Sequence, residues 1–219
     1  MLAGDSQRRD FTLPVPDPDR SFWTAGDMTQ ETLSQKATGF NCMSGRREPE
    51  PALTRHFLPD KSFLDANCDQ GVRFELMLPS CWTGRDLDSA DHRSHVQYPH
   101  LVNTGSCPPD HPVRLSSLYY ETIWATSDYS SVDGSFVIAN GDTTGYGYHG
   151  DFMSGWEEQF LQNAVDVCTS ASGKVEDCPL FELQSDAQAS LCKLDVPDIL
   201  RDEYCGGPRQ GLCGNATIL

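Results

Sequence analysis

The side chains best suited to chemistry cluster in residues 86–100, which hold three of the six histidines and three carboxylates. This stretch has almost no apolar periodicity, so it is not part of a hydrophobic core. Imidazole is the side chain that moves protons most readily near neutral pH, and a nearby carboxylate can orient it. The stretch is therefore either an ordinary solvated loop or a loop that presents imidazoles and carboxylates to a ligand.

Asp91, His92 and His95 form the most specific pattern in this stretch. Two imidazoles three residues apart can meet one metal ion if the backbone turns, and Asp88 or Asp91 can ligate the metal or orient a histidine. The alternative is a surface loop in which these side chains only cap turns. The pattern is neither a zincin motif nor an EF-hand calcium loop.

Residues 141–152 combine glycine, tyrosine, histidine and aspartate. The glycines permit positive φ and close backbone approach, and Tyr146 and Tyr148 offer flat, hydroxyl-bearing faces to a sugar ring. His149 and Asp151 precede a predicted helix, whose positive end favours a charged carboxylate. The alternative is a glycine-rich turn with both tyrosines packed against the core. We expect the two stretches to form one site.

Candidate roles can be assigned to these side chains. The candidate catalytic residues are His92, His95, His149, Asp151 and Asp91. The candidate metal ligands, with zinc as the default divalent ion, are His92, His95 and His149. The candidate substrate-binding residues are Tyr146, Tyr148, Trp82 and Arg114. For Arg114 the alternative is a local ion pair with an aspartate, and Trp156 is assigned to the core because it lies in a helical apolar stripe.

The composition limits the class of protein. The 219 residues suit one domain, and no apolar run approaches the roughly 18 residues that a membrane span needs. The chain has 16 basic and 32 acidic residues, a net charge of -16. Nucleic acid rewards lysine and arginine, so this balance disfavours it as a partner and suits a secreted protein.

The nine cysteines contain no Cys-x-x-Cys pair, so they predict disulfides formed in an oxidising compartment, with at least one cysteine left over. The sequon Asn215-Ala216-Thr217 is consistent with a secreted glycoprotein. No signal peptide begins at Met1. We therefore expect the chain to be an N-terminally truncated form of a secreted protein.

Several strands and few helices are expected. Residues 72–78 alternate between apolar and polar side chains, and residues 118–124 are aromatic and β-branched, so both predict strands. Residues 135–139 predict a short buried strand. Because strand signals outnumber helix signals, the fold class is expected to be mainly β, a disulfide-stapled β-sandwich or jelly-roll-like single domain with one or two short α-helices.

The clearest helix is residues 154–168, with Ser154 and Glu157 as a capping box. A shorter helix is expected at residues 29–37, with Asp27 as its cap and Leu33 and Ala37 facing inward. From about residue 184 the chain turns polar and rich in cysteine, glycine and proline. The expected organisation is a domain at residues 1–183 and a disulfide-pinned tail at residues 184–219.

The chain resembles DUF1996, an uncharacterised secreted domain family of filamentous fungi whose members often carry WSC carbohydrate-binding modules. The resemblance is carried by residues 1–5, 39–42, 55–61, 79–82, 87–96, 111–115, 141–152 and 175–179. Members start upstream with a signal peptide and an Asp-His-x-His segment, which this sequence lacks.

The resemblance implies no reaction, but the WSC association suggests polysaccharide or cell-wall glycan as the partner. The first hypothesis is a secreted protein that acts on such a glycan through a His/Asp site, with or without a metal. The alternative is a non-catalytic cell-wall or glycan-binding module that uses an aromatic surface.

Overall fold

A computed structural model of the chain describes residues 1–11, 17–193, 195–203 and 207–219. These residues form two compact units, one made of Met1–Phe152 and Gln210–Leu219 and the other of Met153–Arg209. None of the described helices is long and apolar enough to cross a membrane. Part of the proline-rich segment, residues 12–16, and Cys205 lie outside the described residues.

The regular elements are short. The strands are β1 (Leu2–Gly4), β2 (Thr38–Cys42), β3 (Val72–Met77), β4 (Cys81–Trp82), β5 (Val96–Gln97), β6 (Val113–Arg114), β7 (Tyr119–Trp124) and β8 (His149–Asp151). The α-helices are α1 (Gln30–Lys36), α2 (Lys61–Asn67), α3 (Glu158–Val167) and α4 (Asp186–Ala189).

Strand β3 is the centre of the largest sheet, with β2 and β7 antiparallel on either side. All five residues of β2 are buried, and Phe40 pairs with Phe74 in the hydrophobic core. β7 exposes its last four residues, and its outer edge pairs with no strand in the described part of the chain. The strands predicted at residues 72–78 and 118–124 are confirmed.

The other strands form two smaller sheets. β4 lies between β5 and β6, and β1 pairs with β8. All pairings are antiparallel. Ala3, in the middle of β1, is buried in a cluster with Leu76 and Leu78. This cluster fixes β1 against the core although the strand has only three residues.

Helix α1 is confirmed at residues 30–36, with Leu33 and Ala37 buried as expected. Its cap is Thr29, whose hydroxyl accepts a hydrogen bond from the amide of Thr32. The prediction of Asp27 as cap was wrong. The Asp27 carboxylate instead accepts from the amide of Thr24, so it closes the preceding 3₁₀ turn.

Helix α3 begins later than expected. Its N-cap is Glu157, whose carboxylate accepts hydrogen bonds from the amides of Gln159 and Phe160. The predicted capping box of Ser154 and Glu157 is therefore wrong, because Glu157 itself satisfies the first-turn amides. Trp156 precedes the helix and is exposed, stacking on Phe160 with ring centres 5.8 Å apart.

Disulfides staple the chain, as predicted. Three lie among the described residues: Cys42–Cys68, Cys81–Cys107 and Cys168–Cys178. Cys213 is disulfide-bonded as well. In the described part of the chain Cys192 is free and exposed, which confirms that the odd number of cysteines leaves a thiol over.

Residues 135–139 form no strand, so that prediction was wrong. The amide of Ile138 donates to the carbonyl of Asp142, which commits the segment to a local turn. Strands make up 14% and helices 24% of the described residues. The expected mainly β, disulfide-stapled class with short α-helices is confirmed in its antiparallel sheets and disulfides, although helical residues outnumber strand residues and the described residues form four α-helices where one or two were expected.

Candidate functional site

Strand β1 joins the two polar stretches singled out in the sequence. The amide of Leu2 donates to the carbonyl of His92 at 3.1 Å. On its other side β1 pairs with β8, so that Leu2 lies opposite Asp151 and Gly4 lies opposite His149. Backbone groups of His92, His149 and Asp151 are therefore held around one three-residue strand.

Asp91 organises the turn that carries His92. Its Oδ1 accepts hydrogen bonds from the amides of Arg93 and Ser94 and from the hydroxyls of Ser89 and Ser94. These bonds, led by the one from the Ser94 amide, hold the pKa of the Asp91 carboxyl well below its usual range. The polar composition of residues 88–95 thus encodes a defined turn.

His92 forms a dyad with Asp88. The imidazole Nδ1 lies 2.8 and 2.9 Å from the two carboxylate oxygens of Asp88. The hydrogen bond from His92 is the main cause of the lowered pKa of the Asp88 carboxyl. The His92 side chain is 59% exposed, so Nε2 is the nitrogen left for a ligand. His92 has φ +54°, in the left-handed region, which commonly costs a non-glycine residue about 1–3 kcal/mol.

His95 is buried beneath this turn, with its Nδ1 2.9 Å from the hydroxyl oxygen of Ser89. The single hydroxyl proton of Ser89 is donated to Asp91. His95 Nδ1 must therefore donate to Ser89, which fixes the tautomer with its proton on Nδ1. His95 supports the turn from within.

The loop formed by residues 141–148 is built around the buried side chain of Asp142. Burial alone would raise the pKa of this carboxyl, but hydrogen bonds from Thr144 and Gly147 outweigh it and lower the pKa. Gly145 has φ +86°, and a Cβ there would lie 2.5 Å from the amide nitrogen of Leu58. The glycine content of the loop thus serves a close approach to the core.

The two tyrosines of this loop lie in different surroundings. Tyr148 packs edge-on against Phe40 and Phe74, with ring centres 5.7 and 5.4 Å away. Tyr146 stacks on Phe11 at 5.8 Å. These contacts place Tyr148 in the packing of the core, whereas Tyr146 lies on a separate aromatic cluster.

His149 and Asp151 are exposed, and as alternate residues of β8 they share one face of that strand. Gly150 between them faces inward, because a Cβ there would lie 2.8 Å from Leu76 Cδ2. His149 Nδ1 donates to the carbonyl of Gly147 at 2.9 Å, which leaves Nε2 open. Together with His92, these side chains are exposed around β1.

Trp82 and Arg114 belong to the small sheet of β4, β5 and β6. The indole N–H of Trp82 donates to the carbonyl of Asp86 at 2.6 Å. The guanidinium of Arg114 donates to the carbonyls of Asn103 and Gly105. Both side chains hold loops in place in this structure.

The metal prediction is left open. Within the part of the chain that the structure describes, no three His, Cys, Asp or Glu side chains are grouped to hold a metal ion. His92, His95 and His149 each commit Nδ1 to a local partner and retain Nε2. The three-histidine site stays a prediction, which elemental analysis of His92→Ala/His95→Ala beside the wild type tests.

Sequence reasoning missed a buried polar cluster away from β1. Lys36 Nζ lies 2.7 Å from Asp17 Oδ1 and 4.4 Å from the centre of the Trp23 ring. His56 is fully buried, with Nδ1 donating to the carbonyl of Thr38 and Nε2 3.2 Å from Asp17. The available signal was that Lys36 lies three residues from Leu33, on the inward face of α1.

Comparison with known proteins gives one match. The family model described as "Domain of unknown function (DUF1996)" matches residues 1–156, more than two thirds of the chain. No curated protein and no solved structure matches the chain.

Proposed function

Because the chain belongs to the DUF1996 domain family, whose description names no reaction, we propose a function from the exposed groups around β1. The proposal is that the protein acts on polysaccharide or cell-wall glycan by proton transfer. The Asp88–His92 dyad supplies the base that takes a proton from the attacking water, and His149 or Asp151 supplies the acid that protonates the leaving oxygen. Three disulfides among the described residues support action outside the cell.

The proposal rests on two backbone contacts of Leu2. Its amide bonds the His92 carbonyl, and its β-partner is Asp151. Neighbouring strands lie about 5 Å apart, so the backbones of His92 and Asp151 are about 10 Å apart across β1. That is the scale of one sugar-binding site, which supports a shared site for two groups that are 59 positions apart in the sequence.

The dyad suits His92 to act as a general base. Asp88 accepts a hydrogen bond from the Nδ1–H of His92, so Nε2 presents a lone pair to a sugar hydroxyl or an attacking water. Asp88 also stabilises the imidazolium that forms when Nε2 takes a proton. The left-handed backbone of His92 is the kind of strain found at functional sites.

Packing favours this catalytic proposal over the alternative of a glycan-binding module. Such a module would use Tyr146, Tyr148 and Trp82 as an open aromatic surface. Tyr148 packs against Phe40, and the Trp82 N–H is bonded to the Asp86 carbonyl. The binding module is therefore one outcome of the experiment below.

The test measures new reducing ends after incubation with chitin, β-1,3-glucan, mannan and polygalacturonate. The key variant is His92→Asn, because asparagine tolerates the left-handed backbone that His92 adopts. We expect a loss of at least about 100-fold, the lower range for a general base. Asp88→Asn should lose less, and His100→Asn, an exposed imidazole of the same stretch, should keep full activity.

Equal activity of His92→Asn and wild type would overturn the dyad. Wild-type protein that binds one of these glycans without altering it, and loses that binding in Tyr146→Ala but not in His92→Asn, would establish the binding module instead.

A further inference from the structure

A cleft of about 260 Å³ lies beside β1 and next to the Asp91 turn. Its lining includes residues 2–5, Arg8, Asp91, Arg93 and Tyr98. This volume is at the small end for ligand pockets, which suits one sugar unit of a chain more than an oligosaccharide.

Several polar groups that line this cleft are bonded within the chain. Asp91 Oδ1 takes four hydrogen bonds from its own turn, and Asp5 Oδ1 takes one from the amide of Gln7. Both ends of the Gln30 amide are bonded to the backbone of Tyr98. The Tyr98 hydroxyl donates to the carbonyl of Met77.

The cationic donors in the cleft, in contrast, are not bonded to other described residues. The guanidinium groups of Arg8 and Arg93 have no hydrogen-bond or ion-pair partner among the described residues, although acidic residues outnumber basic ones two to one in this chain. Both arginines line the same cleft. Two guanidinium groups that are bonded only to water in the free protein can donate to acceptors from outside the chain.

We propose that this cleft binds an anionic substituent of a sugar unit, a carboxylate or a phosphate ester, between Arg8 and Arg93. Guanidinium binds such groups in bidentate fashion, with charge-assisted hydrogen bonds. The proposal rests on the proposed function and names its substrate class, an acidic glycan. The neighbouring turn presents His92, so a unit bound in the cleft would continue past the dyad.

The test is calorimetric binding to the full chain. The probes are trigalacturonate, its methyl ester as the uncharged match, and mannose 6-phosphate as the phosphate source. We expect trigalacturonate to bind and the methyl ester to bind at least about tenfold more weakly, because a charge-assisted bond is lost. Arg8→Gln and Arg93→Gln should each weaken binding about tenfold or more, while Arg47→Gln, an exposed arginine outside the cleft, should not.

Binding of mannose 6-phosphate that depends on the two arginines, without trigalacturonate binding, would assign the cleft to phosphate esters. No binding of either anion, equal binding of the methyl ester, or wild-type affinity in both arginine variants would overturn the cleft proposal.

The two proposals can fail separately. If binding depends on the arginines while His92→Asn leaves turnover intact, the cleft stands and the catalytic dyad falls. If His92→Asn abolishes turnover of an uncharged glycan and the arginine variants retain it, the dyad stands and the cleft proposal falls.

Discussion

Lys36 Nζ lies 2.7 Å from Asp17 Oδ1, and the two side chains are only 0% and 6% exposed. The same ammonium lies over the ring of Trp23, and Asp17 also faces the buried ring of His56. This pair ties the segment that follows residue 16 to α1. It is an ion pair removed from solvent, so the loss of one partner leaves an uncompensated buried charge.

Lys36→Met should therefore lower the free energy of unfolding by about 3 kcal/mol or more, because Asp17 loses its counter-charge in the interior. Urea unfolding followed by tryptophan fluorescence measures the change. Arg46→Met is the control, since Arg46 pairs with Asp69 at the surface and should cost less than about 1 kcal/mol. Equal losses would mean that the Lys36 pair is no stronger than a surface pair.

The Asp91 turn should make stability depend on acid pH. The pKa of this carboxyl is lowered in the folded protein, so its contribution is complete above its unfolded pKa of about 3.9 and fades as the pH falls toward the folded value. Asp91→Asn keeps an Oδ1 acceptor for the four hydrogen bonds but cannot titrate. The urea midpoint should drop less between pH 7 and pH 3 in the variant than in the wild type. Equal drops in the two proteins would contradict this account.

The glycine at position 145 should not tolerate a side chain. Gly145→Ala would place a methyl group 2.5 Å from the Leu58 amide at a φ of +86°, so both the fit and the backbone oppose it. We expect a loss of more than about 1 kcal/mol. Thermal unfolding measures it, with Gly155→Ala as the control, because no atom lies within 4 Å of a Cβ at Gly155. A harmless Gly145→Ala would show that the loop can move away.

Tyr98 should remain un-ionised in strong alkali. Burial raises the pKa of its phenol, so the neutral form is favoured in the folded protein. The stabilisation is complete below the unfolded pKa of about 10 and is lost as the pH rises above it. Tyr98→Phe should cost about 1 kcal/mol at pH 7 by removing the bond to the Met77 carbonyl. Ultraviolet titration should then show the same number of fast-ionising tyrosines in variant and wild type.

The parts of the fold that were predictable from the sequence are those with local signals. Alternation of side chains predicted β3, and a cap followed by inward-facing Leu33 predicted α1. The residue types of the Asp91 turn predicted a polar loop, because aspartate and serine bond their own backbone. Spacing of four residues also allowed the Asp88–His92 pair.

The rest depended on contacts between distant residues. β1 has only three residues, Leu-Ala-Gly, and its pairing with β8 spans about 150 positions, which no local pattern encodes. Lys36 is buried because Asp17, 19 positions away, neutralises it. The sequence allowed two interpretations of Tyr148, a sugar-binding surface or packing against the core. Only the packing around Phe40 shows where the ring lies.

The open edge of β7 bears on how the protein behaves at high concentration. Exposed Ile123 and Trp124 flank a row of backbone donors and acceptors that another molecule can use as a template. At neutral pH the net charge of -16 keeps copies apart. Acid removes that repulsion near the isoelectric point of about 4.5, where the contribution of the Asp91 turn is still complete. Colloidal stability is thus lost before conformational stability, and mildly acidic storage should promote association of folded copies.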